Sequence, residues 1–167
     1  MSDAPARIAV LTISDSVAAG TRIDRSGPAV IERLRQRGWE VPHTETLPDD
    51  EARIAERLGC LADSGSYAAI FTTGGTGLAS RDVTPEATRR VLQREIPGIG
   101  ELMRARGVAA TPLAVLSRAV AGTRGAVLIV NLPGSPKGAV ESLDAIVEVV
   151  PHMLDLLCGR TAHGSRS

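Results

Sequence analysis

Three short loops gather residue types suited to handling phosphate. Gly74-Gly75-Thr76-Gly77 follows the apolar run Tyr67 to Phe71. Pro133-Gly134-Ser135-Pro136-Lys137-Gly138 follows a second apolar run and opens a helix, and Ser14-Asp15-Ser16 follows a third. A tight turn uses one or two glycines, so three directly after a strand suggest close approach of another group to the backbone. Without Cβ atoms in the way, successive N–H groups can point into a cavity and form a nest for phosphate oxygens. The loop matches neither the Walker pattern, which continues into Gly-Lys-Ser/Thr, nor the dinucleotide pattern with its later third glycine. In the second loop Ser135 is a helix cap and Lys137 falls in the first helical turn, a position the helix dipole disfavours for a cation. An anion bound at the same terminus would offset that cost.

Two carboxylates accompany these loops. Asp82 precedes the Thr84-Pro85 helix start, and Asp49 lies in Pro48-Asp49-Asp50-Glu51. Each also reads as an ordinary capping or helix-start acid. Taken together beside two phosphate loops, they make better sense joined by Mg²⁺, which is commonly held by one or two carboxylates plus substrate phosphates. Asp15 is read equally as a partner for a sugar hydroxyl or ring nitrogen and as a local turn former. Glu101 reads as a solvated helix acid. His43, His152 and His163 lack metal-ligand spacing, and no Ser/His/Asp arrangement points to nucleophilic catalysis.

The elements that must position these loops follow from hydrophobic periodicity. Arg7 to Ser14 and Tyr67 to Thr72 read as strands buried on both faces. Trp39 to Leu47 is a weaker strand whose Pro42 predicts an edge position or a bulge. A helix capped by Ser26 carries Val30, Ile31 and Leu34 to Gly38, and Ile54, Leu58 and Leu61 mark another that closes near Gly65. Helices are expected from Thr84 to about Arg94 and from Pro97 to Gly107. Ala119 to Gly122 and Ala126 to Leu132 read as a hairpin turning at Thr123-Arg124-Gly125. Val140, Leu143, Val147, Val150, Leu154 and Leu157 form one seam on the last helix, which Pro151 should kink or restart. The alternation implies an α/β fold with a mostly parallel sheet covered on both faces and one antiparallel hairpin.

Composition narrows the function classes. The 167 residues suffice for one ordinary domain. The formal net charge is zero and aromatics make up 2%. Neither a basic footprint nor stacking platforms for nucleic acid are present. No apolar run reaches membrane-spanning length, so a cytoplasmic protein without membrane contact is expected. Cys60 and Cys158 are read as small buried apolar residues.

With these residues in place, TTGGTG, RDVTPEA and NLPGSPKG, together with ISDS and LPDD, closely resemble the MogA/MoaB family of molybdopterin adenylyltransferases, from about Arg7 to Gly159. The resemblance implies a three-layer α/β/α sandwich over residues 1–167, a single molybdopterin-binding domain with frayed tails at 1–6 and 160–167. It implies transfer of AMP from Mg-ATP to the molybdopterin phosphate, with release of pyrophosphate. Asp49 and Asp82 then become the catalytic, Mg²⁺-linked carboxylates, with Asp50 adjoining the first. Gly74 to Gly77 and Pro133 to Gly138 become the pterin and phosphate loops, and Ser14 and Asp15 lie near the nucleotide. A homotrimer or homohexamer and a molybdenum insertase downstream are the implied partners. The same domain occurs in those insertases and in CinA-like proteins, both with long extra segments. A non-catalytic molybdopterin-binding or scaffold protein of the same fold is the alternative.

Overall fold

A strand covered on both faces must send alternate side chains to two layers. The first strand, β1 (Arg7–Ile13), does so: Ile8 and Val10 enter one apolar cluster, Ala9, Leu11 and Ile13 the other. The computed structural model describes residues 4–160. Its strands continue with β2 (Glu40–Leu47), β3 (Ala69–Thr73), β4 (Arg94–Glu95), β5 (Ala121–Arg124) and β6 (Val127–Leu132). They form one six-stranded sheet in the order β2-β1-β3-β6-β5-β4. The pairings β1–β2, β1–β3 and β3–β6 are parallel, and β5 runs antiparallel to both β6 and β4.

Among the described residues there are seven helices, of which six cover the sheet and the first is a single turn beside it. They are α1 (Asp15–Ala18), α2 (Ser26–Gln36), α3 (Glu51–Asp63), α4 (Thr84–Val91), α5 (Pro97–Gly107), α6 (Pro136–Ile146) and α7 (Val150–Leu157). Residues of α2, α5, α6 and α7 pack in the cluster on one face, and those of α3 and α4 on the other. This is the expected three-layer, mostly parallel α/β/α arrangement with its hairpin. Pro42 lies on an edge strand beside a register shift between β1 and β2, so both expectations for it hold.

Several local expectations need correction. Ser26 is the first residue of α2 and is buried. Asp24 does the capping, its Oδ1 accepting the Gly27 N–H at 3.0 Å while Thr12 Oγ1 donates to Oδ2 at 2.7 Å. The polar loop after β1 contains the single turn α1, capped by Ser14. α4 ends at Val91, because Arg94 and Glu95 pair with Thr123 and Gly122 as an edge strand. Thr123 and Arg124 belong to β5, so the hairpin turns at Gly125-Ala126, with Gly125 at φ +55. The last helix is two helices: the chain turns after Ile146 and restarts at Val150, with Pro151 in the new first turn. Cys60 and Cys158 are exposed, on the outer faces of α3 and just beyond α7.

Of the expected tails, 1–3 and 161–167 lie outside the described residues. Ala6 packs against the core and its carbonyl accepts the Glu40 N–H, while Arg160 pairs with Asp155. No helix among the described residues is long and apolar enough to cross a membrane.

Candidate active site

The parallel order sends the chain from β1 outward to β2 and then back across to β3, so the loops after β1 and β3 part at the carboxyl edge of the sheet. Open α/β sheets bind ligands at such a switch point. The β3 loop turns through Gly74 (φ +107) and Gly75 (φ +68). A Cβ on Gly74 would stand 2.2 Å from the Ile13 carbonyl oxygen. One on Gly75 would meet Thr84 Oγ1 at 2.3 Å and Asp49 Oδ1 at 3.0 Å, and one on Gly77 would meet Asp82 Oδ2 at 2.8 Å. The glycines are therefore required by close approach of a strand and two carboxylates.

The loop has a distinct polarity. Its four carbonyls are all occupied. Gly74 O accepts from Thr84 Oγ1 (3.0 Å), Gly75 O from Thr84 N (3.1 Å), Thr76 O from Arg118 N (2.8 Å) and Gly77 O from Arg118 Nε (2.7 Å). The N–H groups of Gly75, Thr76 and Gly77 donate to no other described residue. A loop whose acceptors are consumed and whose donors are spare is built to meet an anion.

Two supports hold it. Behind the loop, Thr72, Thr84, Thr88 and Asn131 are completely buried. Asn131 Nδ2 donates to Thr72 Oγ1 (3.0 Å) and Thr88 Oγ1 (2.9 Å), and Thr88 in turn donates to Thr84 O (2.8 Å). In front, Arg118 also donates to Asp82 O at 2.6 Å and pairs with Glu86. Burial, the largest single influence, pushes the Glu86 carboxyl upward, but the Arg118 bond, a backbone N–H and the Arg118 and Arg89 charges together outweigh it and the net direction is down. The Pro133–Gly138 loop leans on the glycine loop: Thr73 Oγ1 donates to Pro133 O at 2.7 Å, and a Cβ on Gly134 would lie 3.3 Å from Gly74 Cα.

Asp15 and Asp49 grip each other's backbone. Asp15 N–H donates to Asp49 Oδ2 (2.9 Å) and Asp49 N–H to Asp15 Oδ1 (3.0 Å). Arg81 then takes both Asp15 oxygens, at 2.9 Å each. The Asp15 carboxyl is held below its ordinary range by the Asp49 N–H first and Arg81 second. Asp49 moves the other way. Burial chiefly raises its carboxyl, the neighbouring Asp15 and Asp82 charges add to that, and the Asp15 N–H and Arg81 only partly compensate. Asp50 instead caps α3, accepting the Arg53 N–H at 3.0 Å.

Two cavities meet at this point. A polar one of about 510 Å³ is lined by Ser14, Asp49, Gly74 and Pro136, together with Arg22, Asp24 and Arg25. A mostly apolar one of about 370 Å³ is lined by Thr76, Gly77, Pro133 and Gly138, with Met103, Leu113, Ala114 and Leu116 opposite. Gly75, Asp82, Gly134 and Ser135 belong to both. Asp82 thus stands in the shared wall, its Oδ2 accepting the Ala79 N–H at 2.9 Å. Of the residues expected from sequence, Asp15 and Lys137 line neither cavity. Asp15 is engaged by Arg81, and the Lys137 side chain is 83% exposed, with Glu141 at 3.8 Å. Sequence reasoning missed Arg22, Arg25, Arg81, Arg118 and Asn131, and also the 3₁₀ turn Pro112–Leu116 that supplies the apolar wall. Asp24-Arg25-Ser26-Gly27 at a helix start was the available signal for Arg25; Arg22 and a lone Arg118 carried none.

The pattern of the family described as "probable molybdopterin binding domain" matches residues 9–152. The chain belongs to this family. Within it, the molybdopterin adenylyltransferase of Helicobacter pylori is 42% identical over 155 residues, covering 91% of this chain and 88% of the relative. That of Escherichia coli is 40% identical over 168 residues, covering 92% and 86%. The crystal structure of the molybdopterin biosynthesis enzyme MoaB from Thermus thermophilus has a TM-score of 0.87 and 51% identity, covering 92% of this chain and 97% of that one. The molybdopterin-binding family is thus matched in sequence and in fold.

Proposed function

We propose that this chain is a molybdopterin adenylyltransferase, moving AMP from ATP to the molybdopterin phosphate in molybdenum cofactor synthesis. The observation that carries the proposal is the donor-only glycine loop at the junction of two cavities of unlike polarity. The apolar cavity suits a pterin, and the polar one, with Arg22 and Arg25, suits a triphosphate. The phosphate of the first substrate and the α-phosphate of the second then meet over Gly75–Gly77 beside Asp82.

The chemistry asks little of proton-transfer groups. A phosphate monoester has its second pKa near ~6 and is largely ionised at pH 7. One of its oxygens attacks the α-phosphorus, the new P–O bond forms, and the α–β bridging P–O bond breaks to release pyrophosphate. Asp49 and Asp82 are hard oxygen donors, and burial, with like-charge repulsion added, already raises the first. That donor set fits Mg²⁺ shared with phosphate oxygens, and we assign Asp49 and Asp82 to hold it. Mg²⁺ bound there would neutralise charge gathering on the phosphates. The loop N–H groups align the α-phosphate, Ser14 and Arg25 face the nucleotide side, and Asp15 with Arg81 fixes Asp49. Use of ATP implies a cytoplasmic setting. The same reading extends to a homotrimer or homohexamer that passes its product to a molybdenum insertase.

Incubation with molybdopterin, Mg²⁺ and α-labelled ATP should give labelled pterin and pyrophosphate in equal amounts. Asp49→Asn and Asp82→Asn should each lower kcat/KM by at least about 10²-fold. Absence of transfer sinks the proposal, and molybdopterin binding without transfer would favour a carrier or scaffold. Full activity with unchanged Mg²⁺ dependence in either variant would remove that carboxylate from the metal site.

A further inference from the structure

We infer that Glu141 is a specificity-determining residue that recognises the donor edge of the pterin, an assignment that rests on the function proposed above. Glu141 lies on α6 and lines the apolar cavity, where Asp82 is the other carboxylate. A carboxylate facing a cavity that receives an anionic substrate is unfavourable unless it meets N–H donors. A 2-amino-4-oxopteridine presents two side by side, N3–H and the 2-amino N–H, spaced to pair with both oxygens of one carboxylate. Such paired, charge-assisted bonds are among the stronger polar contacts.

The position along the helix supports this pairing. Ser135 caps α6 at the phosphate end, its hydroxyl accepting the Gly138 N–H. Glu141 is six residues further, about 9 Å along the axis at 1.5 Å per residue. Molybdopterin separates its phosphate from its amino edge by three fused rings, a comparable span. The helix therefore sets the phosphate at its start and the carboxylate midway along it. Lys137 does not consume that carboxylate: their 3.8 Å separation is too long for a hydrogen bond. The neighbouring Arg104 donates to the Ser117 and Ala119 carbonyls at 3.2 and 3.1 Å, so it offers Glu141 no competing partner there.

The test compares wild type, Glu141→Gln and Lys137→Met. A glutamine presents an N–H to the pterin N–H groups, so its KM for molybdopterin should rise about 10- to 100-fold, with KM for ATP unchanged. Direct binding of 6-hydroxymethylpterin and of the 2-oxo analogue 6-hydroxymethyllumazine supplies a readout independent of turnover. Wild type should prefer the pterin, Glu141→Gln should lose that preference, and Lys137→Met should keep it. Equal KM and equal preference in Glu141→Gln overturn the assignment. So does loss of preference in Lys137→Met, which would make the residue a partner in an ion pair only. If wild type transfers no AMP yet shows a preference that Glu141→Gln abolishes, the proposed reaction falls and the recognition stands.

Discussion

Asp49 shows how a single side chain can oppose stability while serving a site. Its carboxyl is raised by burial first and by two like charges after that. A raised acid costs nothing below its unfolded pKa, where both states are protonated. Its cost builds as pH climbs from the unfolded pKa to the folded pKa and is fully present above the latter. Asp49→Asn keeps an oxygen to accept the Asp15 N–H while removing the charge. We therefore expect its Tm to exceed that of wild type at pH 7.5 by about 1–3 °C, a modest gain because solvent screens a half-buried group. The gain should shrink towards pH 4 in a calorimetric series without divalent ions. A constant or reversed difference would show that Asp49 is not under electrostatic strain. Asp15 has the opposite sign: its bonds to the Asp49 N–H and Arg81 lower its carboxyl, so what it contributes is lost as pH falls. Of these two neighbouring acids one is relaxed and one strained, which under the proposed function divides fastening from ligand binding.

At the scale of elements, the glycine loop is only as firm as what lies beneath it. Asn131 belongs to β6, yet it acts on the β3 loop through Thr88 and Thr84. Asn131→Leu matches its shape but leaves the Thr72 hydroxyl and the Val120 N–H without the Asn131 partner, and takes from Thr88 one of its two bonds. Unfolding in urea should show a loss of about 2–4 kcal/mol, and a loss under 1 kcal/mol would mean the network relaxes onto other partners. Elements of this kind also mark what could be read from the sequence. Strands β1, β3 and β6 and helices α2, α3 and α6 follow from apolar periodicity, because each must bury a face. The glycine loop was legible because only glycine tolerates φ +68 against Thr84 and Asp49. β4 was not, since two residues paired at a sheet edge leave no period. Nor was Arg118, whose three acceptors lie 32 to 41 positions away. The exposure of Lys137 was not legible for a related reason: a helix start fixes its position along the axis, whereas its azimuth depends on how α6 docks.

At the scale of the molecule, the switch between β1 and β3 opens two cavities with one shared wall. Separate subsites predict that both substrates bind together before any bond changes. Initial-rate patterns should intersect, and labelled pyrophosphate should not exchange into ATP unless molybdopterin is present. Exchange without the pterin would indicate an adenylylated protein and would rule out direct transfer across the wall. The wall has a further consequence for what leaves. On the function proposed above, each substrate touches one compartment whereas the joined product occupies both, so its two halves hold each other in place through a high local concentration. Pyrophosphate has no such tether and departs first. The protein is then left as a clasp around a finished molecule, and letting go becomes the slow event, best timed by whichever catalyst consumes the product.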